Sequence, residues 1–150
     1  MIKIIKIAAL IIIGLIVIAI YVFEPLRIEP YTPKITNGEA VIPTTQGSYC
    51  WKGLISAQCV DKIYSSPLEM AKEHTPTVVS PLQEIKIAFK KVPLQGTFEV
   101  ELLSDESNSK NIDVKNDKII APDEKGKYIY FVRANWKQGD GNYVFSVKVK

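Results

Sequence analysis

Lys127–Val149, KYIYFVRANWKQGDGNYVFSVKV, is the stretch on which the fold of this chain turns. In its first arm Tyr128, Tyr130, Val132, Ala134 and Trp136 occupy every second position, and in its second arm Tyr143, Phe145, Val147 and Val149 do the same. That period of two places one row of side chains on one face of a strand. Gly139-Asp140-Gly141-Asn142 lies between the arms and holds the residue types that tolerate a tight reversal, so the stretch predicts an antiparallel hairpin turning there. Ile129 and Phe131 add apolar side chains to the other face of the first arm, which predicts a central strand covered on both sides.

Upstream, the same alternation recurs. Glu84–Phe89 sets Ile85, Ile87 and Phe89 on one face, and Thr97–Leu103 sets Phe98, Val100 and Leu102 against Glu99 and Glu101. A polar loop, Asp105–Asn111, leads to short strands at Ile112–Val114 and Lys118–Ala121, closed by a turn at Pro122–Gly126. Asn37-Gly38 is a turn signal before Glu39–Pro43, an edge strand ended by its proline. Ser66-Pro67-Leu68-Glu69 is a capping box with proline at the first helical position, and it predicts a short helix that Thr75-Pro76 terminates. Short strands spaced by roughly ten residues, with one helical crossover, predict a mainly β domain: an antiparallel β-sandwich of immunoglobulin-like type, with a small barrel as the alternative.

Before this domain lies Ile7–Phe23, IAALIIIGLIVIAIYVF, an unbroken apolar run of 17 residues behind Lys3 and Lys6. As a helix it spans about 26 Å, close to the thickness of a hydrocarbon core. It predicts a transmembrane signal anchor over residues 1–23. The lysines precede the run while Glu24 and Glu29 follow it with a single Arg27, so the positive-inside rule sets the N-terminus in the cytoplasm and the remainder outside. A cleaved signal peptide is the alternative, with Val17-Ile18-Ala19 the one small-residue triplet, but it sits inside the apolar run. Residues 24–34 (EPLRIEPYTPK) carry Pro25, Pro30 and Pro33, a composition that predicts an extended stalk; packing of Leu26, Ile28 and Tyr31 on the domain would shorten it. Residues 35–150 are then the extracytoplasmic domain.

Cys50 and Cys59 are expected to pair, since disulfides persist outside the cytoplasm. Their spacing differs from the Cys-x-x-Cys of redox sites. They flank Lys52-Gly53 in two β-rich runs, Ser48–Trp51 and Leu54–Val60, which predicts a hairpin. A tight turn at Lys52-Gly53 would put Cys50 opposite Ile55, so a bridge to Cys59 requires a longer loop or a bulge. The tip presents Trp51, Lys52 and Leu54 as candidate partner contacts, and Trp51 is open to two readings, a plug of the core or an exposed anchor.

Charge and chemistry narrow the functional classes. Of 19 basic and 16 acidic residues, four (Lys3, Lys6, Arg27, Lys34) and two (Glu24, Glu29) fall within residues 1–34, leaving 15 and 14 beyond them and a net of +1. That balance argues against a nucleic-acid partner. His74 is the single histidine and falls at a helix end, with no nucleophile elbow to serve, so no catalytic residue is assigned. The carboxylate pairs Asp105-Glu106 and Asp123-Glu124 sit in solvated turns. With one histidine and two cysteines, no metal ligand set is assigned, and no phosphate-cradling glycine loop or cofactor motif is present.

The pattern Gly126-Lys127-Tyr128-x-Tyr130-x-Val132-x-Ala134-x-Trp136 followed by Tyr143-x-Phe145-x-Val147 resembles the last two strands of extracytoplasmic Ig-like modules of Gram-positive bacteria. Gly47–Trp51 (GSYCW) with Cys59–Asp61 (CVD) is similar to a loop in small signal-anchored extracytoplasmic proteins of those bacteria. The resemblance implies an Ig-like domain outside the membrane and transfers no activity. The expectation is therefore a membrane-tethered interaction module that meets another envelope protein or a cell-wall component. A sensor or regulatory subunit of a larger membrane complex is the alternative, and an enzyme the third.

Overall fold

The computed structural model of the chain describes residues 2–38, 40–104 and 108–150. The Asp105-Glu106 pair, the first residues of the polar loop and the expected strand start at Glu39 lie outside the described residues. Helix α1 (Ile2–Phe23) comes first. Its Lys3–Val22 segment is long and apolar enough to cross a membrane, and none of it is buried against the rest of the chain.

Then follow, in order, β1 (Lys34–Asn37), β2 (Ala40–Ile42), β3 (Thr45–Gln46), β4 (Tyr49–Lys52), β5 (Ala57–Val60), the one-turn α2 (Pro67–Met70), β6 (Thr77–Val79), β7 (Glu84–Ala88), β8 (Glu99–Leu103), β9 (Ser109–Ile112), β10 (Lys118–Ile120), β11 (Gly126–Trp136) and β12 (Gly139–Val149). One sheet has the order β10-β7-β1-β2, and the other β5-β4-β12-β11-β8-β9, with β3 and β6 also paired to β12. All pairings within the strands are antiparallel except β6 with β12. Ile35, Ile42, Ile85, Ile87 and Ile119 of the first sheet meet Val100, Tyr130, Val132, Tyr143, Phe145 and Val147 of the second in one buried core. The alternation read in the sequence decides which side chains enter it. Tyr130 and Phe145 are opposite one another across the β11–β12 ladder and stack with ring centroids 4.8 Å apart.

The outer face of the larger sheet is covered by α2, whose Met70, with Ala71, packs on Val144, flanked by Ile129 and Phe131. This is why β11 reads as apolar on both faces. Ser66 caps α2 by accepting from the Glu69 amide at 3.3 Å, while the Glu69 carboxylate accepts from the Ser65 amide at 2.6 Å. Those bonds from Ser65 hold the Glu69 carboxyl below its ordinary pKa.

Four local expectations need correction. Helix α2 stops at Met70 with Ala71 as its C-cap, before the Thr75-Pro76 expected to end it, so His74 lies beyond the helix. The hairpin turns at Lys137-Gln138, three residues earlier than its glycines suggest, because Trp136 pairs with Gly139 and Ala134 with Gly141. Those glycines serve close packing: a Cβ at Gly139 would fall 2.0 Å from the Cys50 carbonyl oxygen, and one at Gly141 would fall 2.9 Å from Pro30 Cβ. The strand expected at Ile112–Val114 lies instead at Ser109–Ile112, paired to β8. The proline-rich residues 24–34 do not form a free stalk. Pro30, Tyr31 and Pro33 are buried against the domain and Lys34 already belongs to β1, although Leu26 and Ile28 stay exposed.

Candidate interaction surface

The bridge expected between Cys50 and Cys59 is present. The two cysteines are directly opposed in the β4–β5 ladder, with Lys52 facing Ala57, so Gly53–Ser56 forms the loop between the arms. The longer loop, and not a bulge, resolves the register that a tight turn at Lys52-Gly53 could not. β4 is bound to the end of β12 by the Gly139–Trp51 pairing, which the missing Cβ of Gly139 permits. The disulfide hairpin therefore extends the larger sheet at the end where the β11–β12 turn lies.

Trp51 points inward from this hairpin. It is 2 % exposed and forms, with Tyr31, Tyr49, Ala134 and Trp136, a second core at that end of the domain. Its ring lies 5.7 Å from Tyr31 and 5.8 Å from Trp136, both edge-to-face. Of the two readings open for Trp51, the structure has the plug. Its indole Nε1 is buried without a hydrogen-bond partner, whereas Trp136 Nε1 donates to the Lys91 carbonyl at 2.9 Å. Lys52 and Leu54, the other two residues singled out in the tip, remain exposed, Leu54 by 73 % and its neighbour Ile55 by 80 %.

The segment after α1 is laced onto the same end. The Leu54 amide donates to the Pro25 carbonyl at 3.1 Å and Gln58 Nε2 donates to the Ile28 carbonyl at 2.8 Å. Tyr143 Oη donates to the Tyr31 carbonyl at 3.0 Å, and burial pushes this phenol up, so it stays a neutral donor. Arg27 lies over the Tyr31 ring at 4.3 Å. Glu24 stands at the helix exit in a left-handed conformation, φ 43°, with its amide donating to the Ile20 carbonyl at 3.0 Å. Its carboxylate pairs with Lys90 and, at 2.8 Å, with Arg27. Lys90 first, and then Arg27, hold the Glu24 carboxyl below its ordinary pKa. Lys90 Nζ also lies 5.7 Å from the Tyr21 ring centre in the last turn of α1.

Of the three residues whose packing would shorten the stalk, Tyr31 does pack on the domain and Leu26 and Ile28 do not, while Lys90 was missed as a residue that joins helix and domain. Lys90-Lys91 reads as a solvated strand end because nothing local announces a partner 66 positions away. A groove of about 230 Å³ remains between the helix exit and the hairpin, lined by Pro25, Arg27, Tyr31, Trp51, Lys52 and Leu54 among others. Among the described residues no group of three or more His, Cys, Asp or Glu side chains is placed to hold a metal ion. No protein-family model, curated protein or solved structure matches the chain.

Proposed function

We propose that the chain is a membrane-tethered extracytoplasmic interaction module, anchored by α1 and presenting an immunoglobulin-like sandwich. The observation that carries the reading is the pairing of a wholly exposed apolar helix with a disulfide-clamped β domain whose aromatic end is built around the helix exit. The bridge supports an oxidising compartment, and Lys3 and Lys6 before the helix support an outside location for the domain. Two sheets closed on one core support the Ig-like reading over a barrel. The exposed Lys52 and Leu54 remain the contact residues of the tip, while Trp51 holds the hairpin beneath them. A preorganised loop of this kind loses little entropy on binding. Its partner in this reading is another component of the cell envelope.

The anchor is tested by alkaline extraction of membranes together with a reporter fused after Lys150. Retention in the membrane with activity only outside the cytoplasm agrees with the proposal. Release of the chain by carbonate, or a reporter active in the cytoplasm, would overturn it.

A further inference from the structure

The end of the domain that meets the helix is unlike the other end. Four segments converge there: residues 24–29 after α1, the hairpin tip 52–56, the loop 90–96 after β7, and the Lys137-Gln138 turn. Hydrogen bonds tie them into one face: Lys52 N to the Gln138 carbonyl at 2.7 Å, Leu94 N to the Asn135 carbonyl at 2.8 Å, and Leu54 N to the Pro25 carbonyl at 3.1 Å. Within these segments Arg27, Lys52, Lys90, Lys91 and Lys137 stand against Glu24 and Glu29, and the Glu24 charge is already shared by two of the cations. From the same face project Leu54, Ile55 and Val92, exposed by 73, 80 and 85 %. At the far end, residues 80–83, 122–125 and Lys150 balance Asp123 and Glu124 with Lys125 and Lys150.

Apolar loop tips within a basic rim match the layered chemistry of a bilayer surface, where headgroup charge overlies hydrocarbon. The position agrees with the composition. Residues 24–34 do not act as a spacer, so this face begins at the residue where α1 ends. The Glu24 carboxylate pairs with Arg27 and with Lys90, so the helix exit and the loop after β7 are joined at this face.

Resting on the anchor reading above, we propose that this face seats on the bilayer that α1 crosses: Leu54, Ile55 and Val92 enter its interface, and Lys52, Lys91 and Lys137 contact anionic phospholipid headgroups. The partner of the hairpin tip is then lipid, and the domain stands at a fixed height and orientation on the membrane. Surfaces at the far end, carried along β12 for ~37 Å, are the ones turned toward the rest of the envelope.

The test uses the full chain in vesicles of phosphatidylglycerol and phosphatidylcholine, with its native disulfide intact and a nitroxide on Val92→Cys or, as the far-end control, on Ile120→Cys, a residue 52 % exposed. Flotation comes first, because a chain that does not float with the vesicles lacks the anchor, and both readings fall. In floating protein, the Val92→Cys label should collide several-fold more with lipid-dissolved oxygen than with a water-soluble nickel chelate, and the Ile120→Cys label the reverse. The charge-reversed pair Lys52→Glu with Lys91→Glu, both at exposed positions, should abolish the oxygen preference without preventing flotation. Equal nickel accessibility at both labels in floating protein would overturn the seating and leave the anchor standing. Shielding of the Val92→Cys label that disappears when chains are diluted to one per vesicle would assign the face to a second copy, and would also overturn it.

Discussion

Replacement of Trp51 by alanine measures what the disulfide hairpin contributes to the fold. An indole buries ~200 Å² of surface, of which alanine retains only the Cβ share, so ~150 Å² of contact is lost. At ~25 cal/mol per Å² that is ~4 kcal/mol. The edge-to-face contacts with Tyr31 and Trp136 add ~2 kcal/mol. Against this, Trp51 Nε1 is buried without a partner, a defect of ~1–3 kcal/mol that disappears with the ring. The net is ~4 kcal/mol, within the range for large-to-alanine changes in cores. Trp51→Phe keeps most of the ring contact and removes the orphan N–H, so it should cost only ~1–2 kcal/mol. Urea unfolding of the full chain in detergent micelles, with the disulfide oxidised, gives both values from the midpoints at a common slope. A midpoint for Trp51→Ala equal to that of the parent, or equal losses for alanine and phenylalanine, would show that Trp51 does not plug this end of the core.

Three further outcomes are expected. Cys59→Ser opens a ten-residue loop and should cost about 2.7 kcal/mol by chain entropy while leaving the fold intact, since its partner strands stay in register; urea unfolding checks the cost, and free thiols in the native, unreduced parent would contradict the pairing. Gly139→Ala sets a methyl group 2.0 Å from the Cys50 carbonyl oxygen and should cost about 3 kcal/mol in the same assay, a silent substitution showing that β4 does not lie where described. The Glu24 carboxyl has its pKa lowered by Lys90 and Arg27, so its support of the helix–domain contact is complete above the ordinary value of 4.5 and is lost as pH falls through the lowered folded value. Hydrogen exchange of residues 90–97, corrected for intrinsic rate, should therefore be level from neutral pH down to the ordinary value of 4.5 and rise as the pH falls from there through the lowered value, whereas Glu24→Gln should raise it throughout the level range. Identical protection in Glu24→Gln and the parent would show that the pair does not hold the loop.

Much of this architecture was legible in the residues alone because the controlling interactions are local or periodic. An apolar run such as Ile7–Phe23 declares a helix long and apolar enough to cross a membrane, and the alternation in Glu84–Phe89 and Tyr143–Val149 assigns core and surface without reference to neighbours. Ser66 and Glu69 announce their cap because both partners lie within one turn. The pairing of Cys50 with Cys59 was legible by elimination, there being no other cysteine.

Contacts between residues far apart in the chain, where local patterns carry no information, were settled by the folded chain alone. Gly139 and Gly141 look like turn glycines, yet their missing side chains are required by Cys50 and Pro30, each brought alongside by the sheet. Trp51 could have faced either way, and Tyr31 and Trp136, 20 and 85 positions distant, close over it. Three prolines between positions 24 and 34 read as a spacer because polyproline geometry is extended in solution, but Pro30, Tyr31 and Pro33 are buried against the domain and the segment is held there, with Leu26 and Ile28 left exposed. Backbone stiffness is a property of the segment itself, whereas the surface on which it lies down exists only once the rest of the chain has folded.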